Sequence, residues 1–231
     1  MCGRYSLVCI DDLGNRFRVF DPMMGARSRF NIAPGSEMPV IVRAEKNHAA
    51  IMRWGLIPAG TRDIRTARPL INARAETLAE KPAFRSLVRS HRCLVPASGF
   101  FEWKKEGSRK VPIYFRLPAM PLFAFAGLYN QWQNPGGVTV STYTIVTCEA
   151  NSLVAPAHNR MPVILPRDAE ERWLDPAPPG EGDLKGILVP YPAGLMESVP
   201  VSDRVNNPAA DDERVIQPLV SSSGTQTHLA V

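Results

Sequence analysis

Segments patterned as β-strand follow one another along this chain across turns too short to hold a crossover helix. Met38 to Ala44 and Ala49 to Leu56 are joined through the polar turn Glu45 to His48, and Leu122 to Trp132 and Thr139 to Cys148 through a turn at Asn134 to Gly137. Cys93 to Trp103 runs through a polar hairpin at Lys104 to Lys110 into Val111 to Leu117. Parallel neighbours need a connection of about a dozen residues or more, so this spacing predicts mostly antiparallel pairing. Tyr5 to Ile10, Pro69 to Arg74 and Gly194 to Ser202 add shorter strands. Helical periodicity marks three stretches, and Glu149 to Ala155 offers one or two further turns before Pro156. The first is a short helix behind Asp11 and Asp12, offered as N-caps, with Leu13 and Phe17 on one face. The second runs over about Glu76 to Ser90, is interrupted at Pro82, and has Phe84, Leu87 and Val88 as its apolar stripe. The third is Asp168 to Leu174, capped by Arg167 or Asp168, before a Pro/Gly-rich loop at Asp175 to Asp183. No repeat or linker divides the first 200 residues, so the expected fold is α+β in a single domain over 2–219, with 220–231 a disordered tail.

Composition narrows the function. A hydrophobic content of 45% and a charged content of 21% are those of a soluble globular chain. Of the 27 basic residues only six are lysine, and the pI is near 9.2. Planar guanidinium groups suit phosphates and stack on bases, so this excess points toward nucleic acid; a generally arginine-rich composition explains it equally well. Cys2, Cys9, Cys93 and Cys148 contain no CxxC and no metal-ligand spacing, so neither a zinc site nor a disulfide framework is expected, and no cofactor. No basic-then-apolar leader opens the chain, and no apolar run approaches the ~20 residues of a membrane span, so the expected compartment is the cytoplasm. A reducing compartment keeps the Cys2 thiol free.

The amino terminus reads Met1, Cys2, Gly3, Arg4. Removal of Met1 would leave Cys2 with an α-amine of reference pKa ~7.7–8.0 and a thiol of ~8.5, two nucleophiles on one residue. Such an aminothiol can form a Schiff base with an aldehyde and close it through sulfur to a thiazolidine. The plainer alternative is a small packed residue at a terminus. Glu102, between Phe101 and Trp103, reads either as a desolvated general acid or as a solvent-facing position of a strand. His158 is either a proton shuttle or a capping residue, and Asn72 either orients a terminal amine or fills a turn. Arg4, Arg74 and Arg160 are phosphate ligands or members of salt bridges, and Trp54 and Trp103 are stacking platforms or core. The basic stretch Gly60 to Arg68 reads as a surface loop with Arg62, Arg65 and Arg68 exposed.

These residues fall in seven ordered blocks: MCGRYSL at Met1 to Leu7, RWGLIP at Arg53 to Pro58, INARAET at Ile71 to Thr77, RCLVPASGFFEW at Arg92 to Trp103, YTIVTCEAN at Tyr143 to Asn151, HNRMPVIL at His158 to Leu165 and VSDRVNNP at Val201 to Pro208. With them the chain resembles the SRAP (SOS-response-associated peptidase) family, whose members include bacterial abasic-site processing proteins. The resemblance covers Cys2 to about Leu219. It implies twisted antiparallel sheets in a barrel-like core with flanking helices, and a groove for single-stranded DNA carrying abasic sites. It also implies a thiazolidine cross-link to the mature Cys2, with Asn72 positioning the amine, Glu102 helping to open the deoxyribose ring and His158 assisting proton transfer. Arg4, Arg74 and Arg160 would hold phosphates, and Thr147 would add a hydroxyl or backbone contact. The family name also carries self-cleavage ahead of the cysteine, although ordinary processing accounts for removal of Met1; Schiff-base chemistry adds a lyase side activity to the expectation, and the expected state is a monomer. The chain departs from the family at Gly60, where members often carry a tryptophan. Two other readings stay open: an N-terminal-nucleophile amide hydrolase, which fits the first residues alone, and a module that grips single-stranded DNA without chemistry.

Overall fold

A computed structural model describes residues 2–19, 27–133 and 136–219. The expected tail from 220, and residues 134 and 135 of the expected turn, lie outside the described residues. In chain order the strands are β1 (Tyr5–Leu7), β2 (Arg29–Ile32), β3 (Glu37–Arg43), β4 (Asn47–Trp54), β5 (Asn72–Arg74), β6 (Arg92–Ala97), β7 (Gly99–Glu106), β8 (Arg109–Arg116), β9 (Phe123–Gln133), β10 (Thr139–Glu149), β11 (Arg160–Pro162), β12 (Ile164–Leu165) and β13 (Glu197–Pro200). The hairpins β3–β4, β7–β8 and β9–β10 pair antiparallel in continuous register, as their short turns require.

Five of these strands close a barrel. The ladder runs β10–β4–β3–β6–β9, and β9 pairs again with β10 from Thr139↔Gln133 to Ile145↔Gly127. Closure removes the open edges that a five-stranded sheet would otherwise present. The closing joint β10–β4 is parallel, Thr142 facing Arg53, and β5 lies parallel to β10 further along, Ile145 facing Asn72. Short-turn spacing between neighbours in sequence could not foretell these two pairings, because they join strands far apart in the chain. A second, antiparallel sheet, β13–β8–β7–β1–β2, packs against the barrel. Buried aromatics join them: the Tyr5 ring stands edge-on to Trp54 at 5.2 Å, and its hydroxyl bonds that of Tyr143 at 2.7 Å. Close approach explains Gly99, opposite Ser6 in the register, since a Cβ there would sit 2.3 Å from the Tyr114 ring and hydroxyl.

The helices are peripheral: α1 (Leu13–Phe17), α2 (Leu87–Ser90), α3 (Arg167–Leu174) and α4 (Glu181–Ile187). α1 buries Leu13 and Phe17 as expected, but Asp12 makes no side-chain cap bond. The helix expected over Glu76 to Ser90 is broken into a 3₁₀ turn at Ala75–Thr77, further turns, and the four residues of α2. Pro82 lacks an N–H and disfavours helix at the residue before it, while Phe84, Leu87 and Val88 still bury. Pro166, neither Arg167 nor Asp168, precedes α3 as its cap. α4 starts inside the expected loop, where the Gly180 N–H donates to Asp183. Toward the carboxyl end, Val201, Val205 and Val215 pack on Phe101 and Tyr114, covering the outer face of the second sheet. Among the described residues no helix is long and apolar enough to cross a membrane.

Candidate functional site

The segment Cys2–Arg4 leads into β1, which is flanked by β2 and β7. The Phe101 N–H donates to the Arg4 carbonyl at 3.0 Å, so this segment runs beside Phe101 and Glu102. From the other side comes Asn72, set on β5 by its parallel pairing to β10. Its Nδ2 donates to the Cys2 carbonyl at 2.9 Å, while its Oδ1 is buried without a hydrogen-bond partner among the described residues. Asn72 thus grips the Cys2 backbone and keeps an acceptor in reserve beside it. Cys2 is fully buried, with Sγ 3.9 Å from the Arg4 carbonyl. Burial, and then the nearby Glu102 charge, push its thiol far above the ordinary range.

Strand alternation directs Glu102 inward with Phe100, leaving it 4% exposed. Burial lifts its carboxyl to about 7, although the charge of the chain's amino terminus pulls the other way. A carboxyl poised there exchanges protons near neutral pH.

His158, Asn159 and Arg160 turn into β11, where Arg160 faces Glu149 of β10. They line a cleft of about 640 Å³ together with Arg74. Arg160 is held on three sides: Nη1 and Nη2 meet the two Glu76 oxygens at 2.7 and 2.9 Å, and Nη2 also donates to the Thr147 carbonyl. The Arg160 N–H donates to His158 Nδ1 at 2.9 Å. Burial, followed by the charge of the amino terminus, lowers the His158 pKa, which keeps the ring neutral at pH 7.

A family model described as SOS response associated peptidase (SRAP) matches residues 1–208. The chain belongs to the SRAP family. It is 41% identical over 213 residues to the abasic site processing protein YoaM of Bacillus subtilis, covering 90% of this chain and 94% of that one. It is 31% identical to the abasic site processing protein YedK of Escherichia coli, covering 95% and 100%. The vertebrate relative HMCES of Xenopus tropicalis, also named an abasic site processing protein, is 32% identical over 77% of this chain and 62% of its own length. Among solved structures, a protein from Bacteroides thetaiotaomicron superposes with a TM-score of 0.87 at 27% identity, over 95% of this chain and 100% of that one.

The SRAP fold brings Cys2, Asn72 and Glu102 together and sets His158, Arg160 and Arg74 around the adjoining cleft. It does not bring Trp54 to any surface. Trp54 is 1% exposed, donates its Nε1–H to the Ile71 carbonyl at 2.9 Å and stacks on Tyr143, so it is core and cannot meet a base. Trp54→Ala is expected to lower stability by about 3–5 kcal/mol in a denaturant titration. Thr147 is equally buried; its Oγ1 lies 3.5 Å from the Ala73 carbonyl and its own carbonyl accepts from Arg160, so it supports Arg160 and offers nothing to solvent. Trp103 is half-buried and donates to Asn206 Oδ1 at 2.8 Å. Arg4 Nη1 donates to Asn31 Oδ1 at 2.7 Å and to the Val205 carbonyl, while its buried Nε has no partner among the described residues. Sequence reasoning missed Glu76, Asn31 and Asn206, although Glu76 and Asn206 stand inside two of the seven blocks. Among the described residues no group of His, Cys, Asp and Glu could hold a metal ion.

Proposed function

We propose that this SRAP protein captures abasic sites in single-stranded DNA as a covalent thiazolidine on the mature Cys2. The observation that carries the reading is the buried Glu102 carboxyl, titrating at about 7 beside a Cys2 whose backbone Asn72 grips. Relatives along nearly the whole chain are named abasic site processing proteins, which supplies the substrate class.

An abasic deoxyribose is mostly a closed hemiacetal. Glu102 donates a proton to the ring oxygen as the C1′–O4′ bond breaks, and the C1′ hydroxyl gives its proton to water, freeing the C1′ aldehyde. With Met1 removed, the Cys2 amine adds to C1′, and loss of one water gives the Schiff base. The Asn72 Oδ1 accepts from that amine and aims its lone pair. The thiol then adds across the C=N bond: sulfur bonds to C1′, its proton goes to nitrogen, and the ring closes. The net change is aldehyde plus aminothiol to thiazolidine plus water. The Schiff base also permits β-elimination of the 3′ phosphate, a lyase side reaction that fast closure suppresses. Exposed Arg74 and the partly buried Arg4 hold flanking phosphates, and such clamps make the encounter effectively unimolecular. A lesion without a base costs least to extrude, and a single strand costs less again. The protein works as a soluble monomer in the cytoplasm.

Incubation with single-stranded DNA bearing one abasic site, followed by a denaturing gel, tests this directly. The expected result is a shifted band that survives denaturation. Only salt-sensitive, reversible binding would sink the covalent reading and leave a binding module, and amide hydrolysis without a shifted band would favour the hydrolase.

A further inference from the structure

The hairpin between β7 and β8 carries charge that the capture reaction leaves unused. β1 pairs with β7 only at Gly99 and Phe100, and β13 pairs with β8 no further than Ile113. From Lys104 and Val111 outward the hairpin is therefore a two-stranded ribbon, with both edges bare among the described residues. Its stretch Lys104 to Lys110, KKEGSRK, holds four cations and one carboxylate. Lys104 takes that carboxylate, its Nζ 2.8 Å from Glu106. Lys105 and Lys110 are exposed, join no ion pair among the described residues, and stand directly opposite each other in the register. Like charges directly opposite destabilise a strand pair, so the fold itself gains nothing from the arrangement.

The ribbon's place in the sheet relates this pair to the site. Alternation puts Lys105 on the same face of β7 as Phe101 and Trp103, opposite to the face of Glu102. Arg4 reaches that face too: its Nη1 donates to the Val205 carbonyl, and Val205 packs on Phe101. The next residue, Asn206, accepts from Trp103 Nε1 at 2.8 Å. One face thus runs from Arg4 past Trp103 to the two lysines, and Lys105 lies ~10 Å along β7 from Glu102 at ~3.3 Å per residue. We propose that Lys105 and Lys110 form a second phosphate-binding point, which holds the single strand of DNA where it runs on beyond the lesion. This rests on the capture reaction proposed above, in which Arg4 holds a phosphate flanking the lesion, and extends the contact to nucleotides that the chemistry never touches. Two unpaired cations on a protruding ribbon complement a polyanion, and no carboxylate on that face competes for them.

Two abasic oligonucleotides separate the inner contact from the outer one: a short single strand of about four nucleotides, and a long one of about sixteen, the limits of common single-strand footprints. The full chain carrying Lys105→Gln and Lys110→Gln is expected to capture the long strand about tenfold more slowly at low salt and sub-saturating DNA, the lower end of what charge steering contributes. The slope of log rate against log salt concentration should become shallower by about 1.4, two phosphates at ~0.7 each. Capture of the short strand, and of the long strand at saturation, should not change, because Cys2 and Glu102 are untouched. Lys105→Arg with Lys110→Arg, which keeps both charges, is expected to restore the rate. An unchanged rate and salt slope on the long strand overturn the second binding point and leave the lysines as guards against edge-to-edge pairing. An equal loss on both strands overturns it as well, since the outer contact would then be a disturbance of the site. Fluorescence anisotropy with the long strand lacking the lesion needs no covalent step. If the unaltered protein forms no adduct, the capture reading fails on the gel alone, while tighter and more salt-sensitive binding than that of the Gln variant still upholds the hairpin contact.

Discussion

Cys2→Ser is expected to form no adduct that survives denaturation, while borohydride still traps a Schiff base between the variant and abasic single-stranded DNA. The amine remains in this variant, so the first bond forms. The second does not last, because a hydroxyl is a far weaker nucleophile than a thiol and its ring reopens. Burial explains the order of events. A fully buried thiol, pushed further up by the Glu102 charge, stays protonated at neutral pH and does not compete with the amine for the aldehyde. Once the Schiff base forms, its nitrogen takes the thiol's proton, and the positive charge so made stands within the same residue as the sulfur. An opposite charge that close favours the thiolate, so the intermediate itself activates the group that closes it. The same burial makes the resting thiol inert, so iodoacetamide should alkylate Cys2 of the folded protein much more slowly than a free cysteine. A durable adduct in the Ser variant would move the nucleophile to another residue.

How much of this could be read from residues alone depended on the range of the interaction. Strands β3, β4, β9 and β10 were legible because alternation and short turns act between neighbours, and their limits fall within a few residues of expectation. The parallel joints of β10 to β4 and β5 were not, because nothing local to Arg53, Asn72 or Thr142 records a partner seventy or more residues away. The helix expected at Glu76 to Ser90 failed for a local reason, Pro82, whose effect reached further than one interruption. At the site, Cys2, Asn72 and Glu102 stood out because each residue type is out of place for its surroundings: a thiol at a terminus, an amide in a strand, a carboxylate among aromatics. Trp54 misled because a tryptophan beside an arginine at a strand end suits both a base and a core, and its burial, with the Ile71 carbonyl on its Nε1, decides between them. Glu76 stayed hidden because an acidic residue in a turn is ordinary until its partner, Arg160, is seen.

Glu102→Gln is expected to slow capture by about 10²- to 10⁴-fold near pH 7, the usual worth of a positioned general acid. Its pH profile separates this cause from mere disturbance. Ring opening needs Glu102 protonated, so the rate falls as pH rises through about 7; amine attack needs a free base, so the rate falls as pH drops through ~7.7–8.0. The unaltered protein should therefore show a bell with its maximum near pH 7.5. The Gln variant should keep the acid limb and lose the alkaline one, and a surviving alkaline limb would assign it to another group. Stability supplies an independent reading of the same pKa. A carboxyl raised from ~4.3 in the unfolded chain to about 7 in the fold binds its proton more tightly when folded. Its contribution is fully present below pH ~4.3 and is lost as pH rises through 7, where an ionised carboxylate must sit almost wholly out of water. That loss is on the order of 3 kcal/mol, and glutamine, always neutral, does not suffer it. The Gln variant should then gain on the unaltered protein between pH 5 and pH 8, by about 5–10 °C in Tm for a chain of this size. Equal pH dependence of Tm in the two proteins would mean that Glu102 titrates as an ordinary glutamate, and the acid that opens the ring would have to be sought elsewhere in the site.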